Sequence, residues 1–200
     1  MRDRILSIFS PADPAENGER LTPGWPSPPP GVRPGELTSA AVLVPLVDHA
    51  AGISVLLTKR TDTMPDHRGQ IAFPGGRKDA ADKTPEETAL RETEEEVGIR
   101  RANIQIIGRL SAHDTRTGYH VMPVVGLVKP PLSLVAEPSE VAHIFEVPLD
   151  FVLDTANHRM EPYKGDPSGR KYRAMPYGDH YIWGLTARVL YELASVLRKS

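Results

Sequence analysis

From Ser39 onward, apolar positions fall in short β-branched runs. AAVLVPLV (40–47) and ISVLLT (53–58) flank the turn-prone segment 48–52, which predicts a hairpin. IQIIGRL (104–110), HVMPVVGLV (120–128) and AHIFEV (142–147) add three further strands. Two stretches instead follow the helical period. The first, 85–97, carries its own punctuation: Thr84 as N-cap, Pro85 at the first helical position, Glu87 to close a capping box and Gly98 just past the end. The second, 183–198, places Leu185, Val189, Leu190, Leu193, Val196 and Leu197 on one stripe, the mark of core packing. Strands mixed with helices but lacking a strict βαβ rhythm predict an α/β fold, with a mixed β-sheet between helical layers.

The N-terminal part has a different texture. Proline accounts for 20 of the 200 residues, and six of the prolines lie between Pro23 and Pro34, a density that excludes regular helix and central strand. Residues 1–35 therefore read as a Pro-rich arm, with a short helix at residues 4–9 and extended, polyproline-like chain after it. Residues 36–200 form the single expected domain.

Composition narrows the chemistry. Lys and Arg number 24 against 26 Asp and Glu, so the net charge of -2 gives no bulk field for nucleic acid or an anionic membrane. The absence of cysteine removes disulfides, thiol nucleophiles and Cys-ligated zinc. No apolar run approaches a membrane span or a secretory signal, and a cytoplasmic location is the expectation.

Polar chemistry concentrates on the helix at 85–97. At about 100° per residue, Glu92, Glu95 and Glu96 share an arc about 100° wide, with Ala89, Leu90 and Val97 on the adjoining core face. Like charges at these spacings repel, and the C-terminal half of a helix disfavours anions. Arg91 offsets part of this charge. An all-oxygen cluster of this kind suits a hard divalent cation, Mg²⁺ or Mn²⁺, although a merely solvated acidic face has the same pattern.

The segment FPGGRKDAADKTPEETALRETEEEVGI (73–99) resembles the Nudix box, Gly-x5-Glu-x7-Arg-Glu-U-x-Glu-Glu-x-Gly-U, where U is aliphatic. Arg91, Glu92, Glu95, Glu96, Gly98 and Ile99 match, and Thr93 replaces the first aliphatic residue. Counted from Gly76, the first acid is Asp82 rather than Glu, and eight residues rather than seven then precede Arg91. Upstream, LLTKRTDTMPDHRGQIAFPGG (56–76) resembles the signature of the coenzyme A pyrophosphatase branch of the same family, whose boxes carry the same extra residue. Leu56, Leu57, Thr58, Arg60, Gly69, Phe73, Pro74, Gly75 and Gly76 match, whereas Pro65 stands where that signature has a second Arg. His67 and Arg68 are the candidates to replace that cation.

This resemblance implies a Nudix-type α/β/α sandwich and hydrolysis of a nucleoside diphosphate linked to another moiety. The implied metal ligands are Glu92, Glu95 and Glu96, with Arg91 orienting them. Glu140 is the candidate general base, and Arg60, His67, Arg68, Gly75 and Gly76 are the candidate substrate contacts. The expected partner is a small-molecule nucleotide, with a homodimer as the candidate assembly. The leading substrate is coenzyme A or its derivatives. Another nucleotide such as ADP-ribose, NADH or a dinucleoside polyphosphate is the alternative, and a non-catalytic nucleotide-binding module is a third reading. GDPSGRK (165–171) lacks P-loop spacing and reads as a turn, and His113 beside Asp114 reads as structural or substrate-contacting.

Overall fold

The computed structural model describes residues 1–9, 37–62 and 68–198. Strands β1 (Thr38–His49) and β2 (Gly52–Arg60) form the expected hairpin, with Leu46 opposite Val55 and His49 opposite Gly52. Beyond Leu46 toward the N-terminus the two strands diverge. β3 (Ile71–Ala72) pairs with β2, and β4 (Gly75–Arg77) pairs with β1. The remaining strands of this sheet are β5 (Ile104–Arg109), β6 (His113–Asp114), β7 (Tyr119–Val128) and β8 (Val141–Pro148). The central path runs β3-β2-β1-β7-β5, with β8 also on β2 and β6 on β7. β1 and β7 are parallel and the other pairs antiparallel, so the sheet is mixed as expected.

Helix α2 (Pro85–Val97) covers one face of this sheet. Its start follows from the sequence: Thr84 accepts the Glu87 N–H at 3.3 Å, while the Glu87 carboxylate reaches the N–H of Lys83, one residue earlier than a reciprocal capping box requires. Gly98, at φ 74°, ends the helix in the left-handed conformation and donates to the Glu94 carbonyl. Under α2 lie Ala41, Leu43, Met122 and Val124, and farther along Val47, Leu56 and Val128. Thr93, in place of the aliphatic residue, is fully buried and turns its hydroxyl back to the Ala89 carbonyl at 2.6 Å. Leu90, expected in the core face, is only partly buried. An ion pair from Arg109 to Glu86 (2.6 and 2.8 Å) ties the first turn of α2 to β5.

The opposite face holds the main core. α4 (Gly184–Arg198) lays Val189, Leu190, Leu193 and Leu197 against it, and α3 (Leu149–Leu153) adds Leu149 and Val152. The short N-terminal helix, α1 (Arg2–Phe9), was expected as part of an arm, yet it inserts Ile5 and Phe9 into this same core. The Pro-rich residues 10–36 lie outside the described residues. A second sheet, β11-β10-β9, built from β9 (Arg159–Pro162), β10 (Lys171–Tyr177) and β11 (His180–Trp183), is absent from the sequence-based expectation. Its strands mix charged residues and prolines into the apolar pattern, which hides their period. Residues 165–171 do form the turn expected of them, with Asp166 accepting from the Ser168 N–H at 2.9 Å. The α/β/α sandwich is thus present. Among the described residues no helix is long and apolar enough to cross a membrane.

Candidate active site

The site forms where β4 passes beneath α2. Gly76 allows this close approach, and Gly75 allows the approach of β4 to β1. A Cβ on Gly75 would lie 2.4 Å from the Ala41 carbonyl oxygen, and one on Gly76 would lie 2.5 Å from the Glu92 carboxylate. The hydrogen at Gly76 thus leaves room for the Glu92 carboxylate, and the one at Gly75 lets β4 lie against β1.

Glu96 is the more enclosed of the two, with its side chain 5% exposed. It accepts the Gly75 N–H at 3.2 Å, and the Arg60 guanidinium stands 4.0 Å away. Burial pushes its pKa up to about 8; Gly75 and Arg60 oppose the rise, while Glu140 and Glu92 add to it. Glu92 is also pushed upward, first by burial and then by Glu95 and Glu140, with Arg91 pulling the other way.

Arg91 organises the outer side of this group. Its guanidinium donates to Glu92 at 2.8 Å, to Glu95 at 3.0 Å, to Asp82 at 2.9 Å and to the Arg77 carbonyl at 3.0 Å. Asp82 is buried beneath Arg91 and also accepts from Thr88 (2.7 Å) and the Asp79 N–H (2.9 Å). Burial alone would raise the Asp82 pKa, but these bonds together bring it down to about 2. Arg91 thereby links the loop before α2 to the carboxylates on it. The sequence signal was the acid at the first acidic position of the box, nine residues before Arg91.

Glu140 reaches the site by a route with no motif to announce it. The chain leading to it is bonded to the end of α2, with the Val135 N–H on the Val97 carbonyl (3.1 Å) and the Glu137 N–H on the Glu96 carbonyl (2.9 Å). Thr61 then fastens the segment to β2: its N–H donates to the Glu140 carbonyl at 3.0 Å and its hydroxyl to the Ser139 carbonyl at 3.1 Å. The Glu140 charge acts on both Glu92 and Glu96.

The structure therefore brings together Glu92, Glu96, Arg91, Arg60, Gly75, Gly76 and Glu140. Glu95 differs from its neighbours: it is 58% exposed and held by Arg91 at the solvent side. Arg68 lines a separate cleft near β11, and His67 and Pro65 lie outside the described residues. His113 and Asp114 form no dyad, because His113 pairs with Glu192 of α4 (3.1 Å) and Asp114 with His120 (2.6 Å). A cavity of about 620 Å³, lined in part by Arg2, His49 and Lys129, contains none of the carboxylates on α2. The carboxylates themselves therefore locate this site.

Among the described residues no three acidic or histidine side chains form a closed metal cage. The donor set nonetheless fits a divalent cation. Glu96 is buried with two further carboxylates acting on it, the Arg60 guanidinium no nearer than 4.0 Å and a pKa of about 8, so among the described residues it lacks the positive charge that a hard cation on oxygen donors would provide.

The comparisons with known proteins identify the family. The NUDIX domain family matches residues 36–163, a span containing every residue of the site, and the chain belongs to the Nudix family. Members of this family generally need divalent metals. A Nudix hydrolase NudL of Photorhabdus laumondii, itself uncharacterized, is 44% identical over 156 residues, 78% of this chain and 82% of its own. The NudL of Citrobacter koseri is 37% identical over 193 residues, covering 96% of this chain and 92% of its own. Among solved structures, a Caenorhabditis elegans Ap4A hydrolase superposes with a TM-score of 0.51 at 18% identity, over 80% of this chain and 93% of its own, which bears on the fold alone.

Proposed function

We propose that this protein hydrolyses the pyrophosphate bond of coenzyme A or its derivatives, releasing 3′,5′-ADP and 4′-phosphopantetheine. Within the broader reading, a Nudix pyrophosphohydrolase acting on a nucleoside diphosphate derivative, this choice is carried by one observation. Arg60 and Gly75, two residues of the coenzyme A signature, both face Glu96 of the box. The signature and the box therefore meet at one carboxylate.

Glu92, Glu95 and Glu96 would hold Mg²⁺ or Mn²⁺. When bound there, the cation supplies charge neutralisation for phosphate oxygens and acidity for water. The chain's own groups do the rest. Arg91 fixes the Glu92 and Glu95 carboxylates from the solvent side. Arg60 presents its guanidinium to the pyrophosphate, and Glu140 accepts a proton from the water that attacks phosphorus. The bond from phosphorus to the bridging oxygen breaks, and the departing phosphate leaves as an anion. In such a reaction positioning and charge neutralisation supply nearly all of the catalysis.

Pro65, in place of the second signature Arg, favours the alternative of another nucleoside diphosphate derivative. Incubation with Mg²⁺ or Mn²⁺ and a panel of coenzyme A, ADP-ribose, NADH and diadenosine tetraphosphate, with products identified by mass, decides between them. Coenzyme A should give 3′,5′-ADP and 4′-phosphopantetheine. Preferential turnover of another member, or release of inorganic phosphate alone, would overturn the coenzyme A assignment.

A further inference from the structure

β2 and β8 pair residue for residue from Ser54 opposite Pro148 to Lys59 opposite His143, and then Arg60 stands opposite Val141. One residue of β8, Ala142, is therefore extra. A bulge of this kind bends its strand and re-aims the residues beside it. Here it falls at the start of β8, two residues from Glu140.

Glu140 itself closes a tight turn. The N–H groups of Glu140 and Val141 both donate to the Glu137 carbonyl, at 3.0 and 2.8 Å, while the Glu137 N–H donates to the Glu96 carbonyl at 2.9 Å. One end of the turn thus hangs from α2. The other end is held by the residue that follows β2: the Thr61 N–H donates to the Glu140 carbonyl at 3.0 Å, and the Thr61 hydroxyl donates to the Ser139 carbonyl at 3.1 Å. Thr61 is buried, whereas Glu137 and Ser139 are exposed, so the threonine is the fixed partner in these contacts. Its neighbour Arg60 places a guanidinium 4.0 Å from Glu96. Two consecutive residues at the end of β2 therefore address two acids of the site, Arg60 through the Glu96 carboxylate and Thr61 through the backbone of Glu140.

We propose that Thr61 is a positioning residue for the reaction, its hydroxyl fixing the turn so that the Glu140 carboxylate stands at a set place relative to Glu92 and Glu96. This rests on the reading of Glu140 as the proton acceptor. Misplacing such a group by about 1 Å can cost up to roughly a hundredfold in rate, so one buried hydroxyl can control turnover without touching the substrate.

Thr61→Val keeps the shape of the side chain and removes the hydroxyl; Thr61→Ser keeps the hydroxyl. With Mg²⁺ and a panel nucleotide that turns over, the Val variant should lose about tenfold or more in kcat with KM little changed, and the Ser variant should recover most of that loss. Glu140→Gln should cost roughly 10² to 10⁴ in kcat, and adding Thr61→Val to it should cost nothing further, because the group being positioned is already gone. An unchanged kcat in Thr61→Val, or a loss that multiplies with that of Glu140→Gln, overturns the proposal. Amide hydrogen exchange reads the same contact without turnover: exchange at Glu140 and Val141 should quicken about tenfold in Thr61→Val while the amides of α2 keep their protection. Unaltered exchange there also overturns it. If the wild type hydrolyses no nucleotide, the hydrolase reading fails and the catalytic role with it, while exchange still decides whether Thr61 holds the turn.

Discussion

Replacing Glu96 by Gln should raise stability and abolish turnover in the same molecule. In the metal-free protein the Glu96 pKa lies near 8 instead of the ordinary 4.5, so the folded state holds a proton that the unfolded chain has released. Stability from this group is therefore highest below pH 4.5 and declines as pH rises toward 8. At pH 7 the 2.5 units above 4.5, at 1.36 kcal/mol each, amount to roughly 3 kcal/mol. The amide carries no such cost and can still accept the Gly75 N–H. For a chain of this size, roughly 3 kcal/mol corresponds to a rise in Tm of about 6 to 12 °C as an upper bound. Melting wild type and Glu96→Gln in EDTA from pH 5 to 8 should give curves that separate as pH increases. With saturating Mg²⁺, the Gln variant should lose orders of magnitude in kcat. Glu94→Gln is the control, because Glu94 is exposed and only 3.7 Å from Arg101, and it should match wild type in both assays. Equal melting of wild type and Glu96→Gln at pH 8 in EDTA would refute the electrostatic argument, and equal kcat would refute the metal-site reading.

Asp82→Asn should cost about 2 kcal/mol above pH 4, with the difference disappearing as pH falls from 4 toward 2, because the wild-type carboxyl is held down to about 2 and its contribution is lost on protonation; melts across the acid range test this. Gly76→Ala places a methyl against the Glu92 carboxylate, so kcat should fall at least tenfold with little change in Tm, whereas an unchanged kcat would show that Glu92 can move without consequence. Glu86→Gln removes the charged partner of Arg109, whose side chain is 3% exposed, and should destabilise the protein by about 3 kcal/mol in denaturant titration.

The parts of the fold most legible in sequence were those whose signals are local. Thr84, Pro85 and Gly98 bound α2 without reference to anything distant, and residues 48–52 contain the β1-β2 turn. The glutamates were equally legible as a set on one arc. Angle alone could not separate Glu95 from Glu96, which lie on the same arc but differ in burial because only Glu96 meets β4. That difference depends on Gly75, 21 residues earlier, and no periodicity records it. β9 to β11 were missed for a related reason: strands such as RMEP and KYRAMPY derive their order from pairing and from α4 rather than from their own alternation. Ile5 and Phe9 belong to the core through contacts with elements far along the chain, which the proline content after them does not record.

The attachment of residues 135–140 to the last turn of α2 also constrains how the enzyme can diversify. Because the backbones of Val135 and Glu137 hang from the carbonyls of Val97 and Glu96, the acid at 140 is indexed to the helix rather than to the loop that precedes it. Insertions before residue 135 can lengthen the connection from β7 without changing that index. An insertion between 137 and 140 would shift Glu140 against the carboxylates while leaving every box residue in place. Loop length upstream is therefore open to variation, whereas the three-residue interval from Glu137 to Glu140 acts as a fixed ruler that sets Glu140 against Glu92 and Glu96.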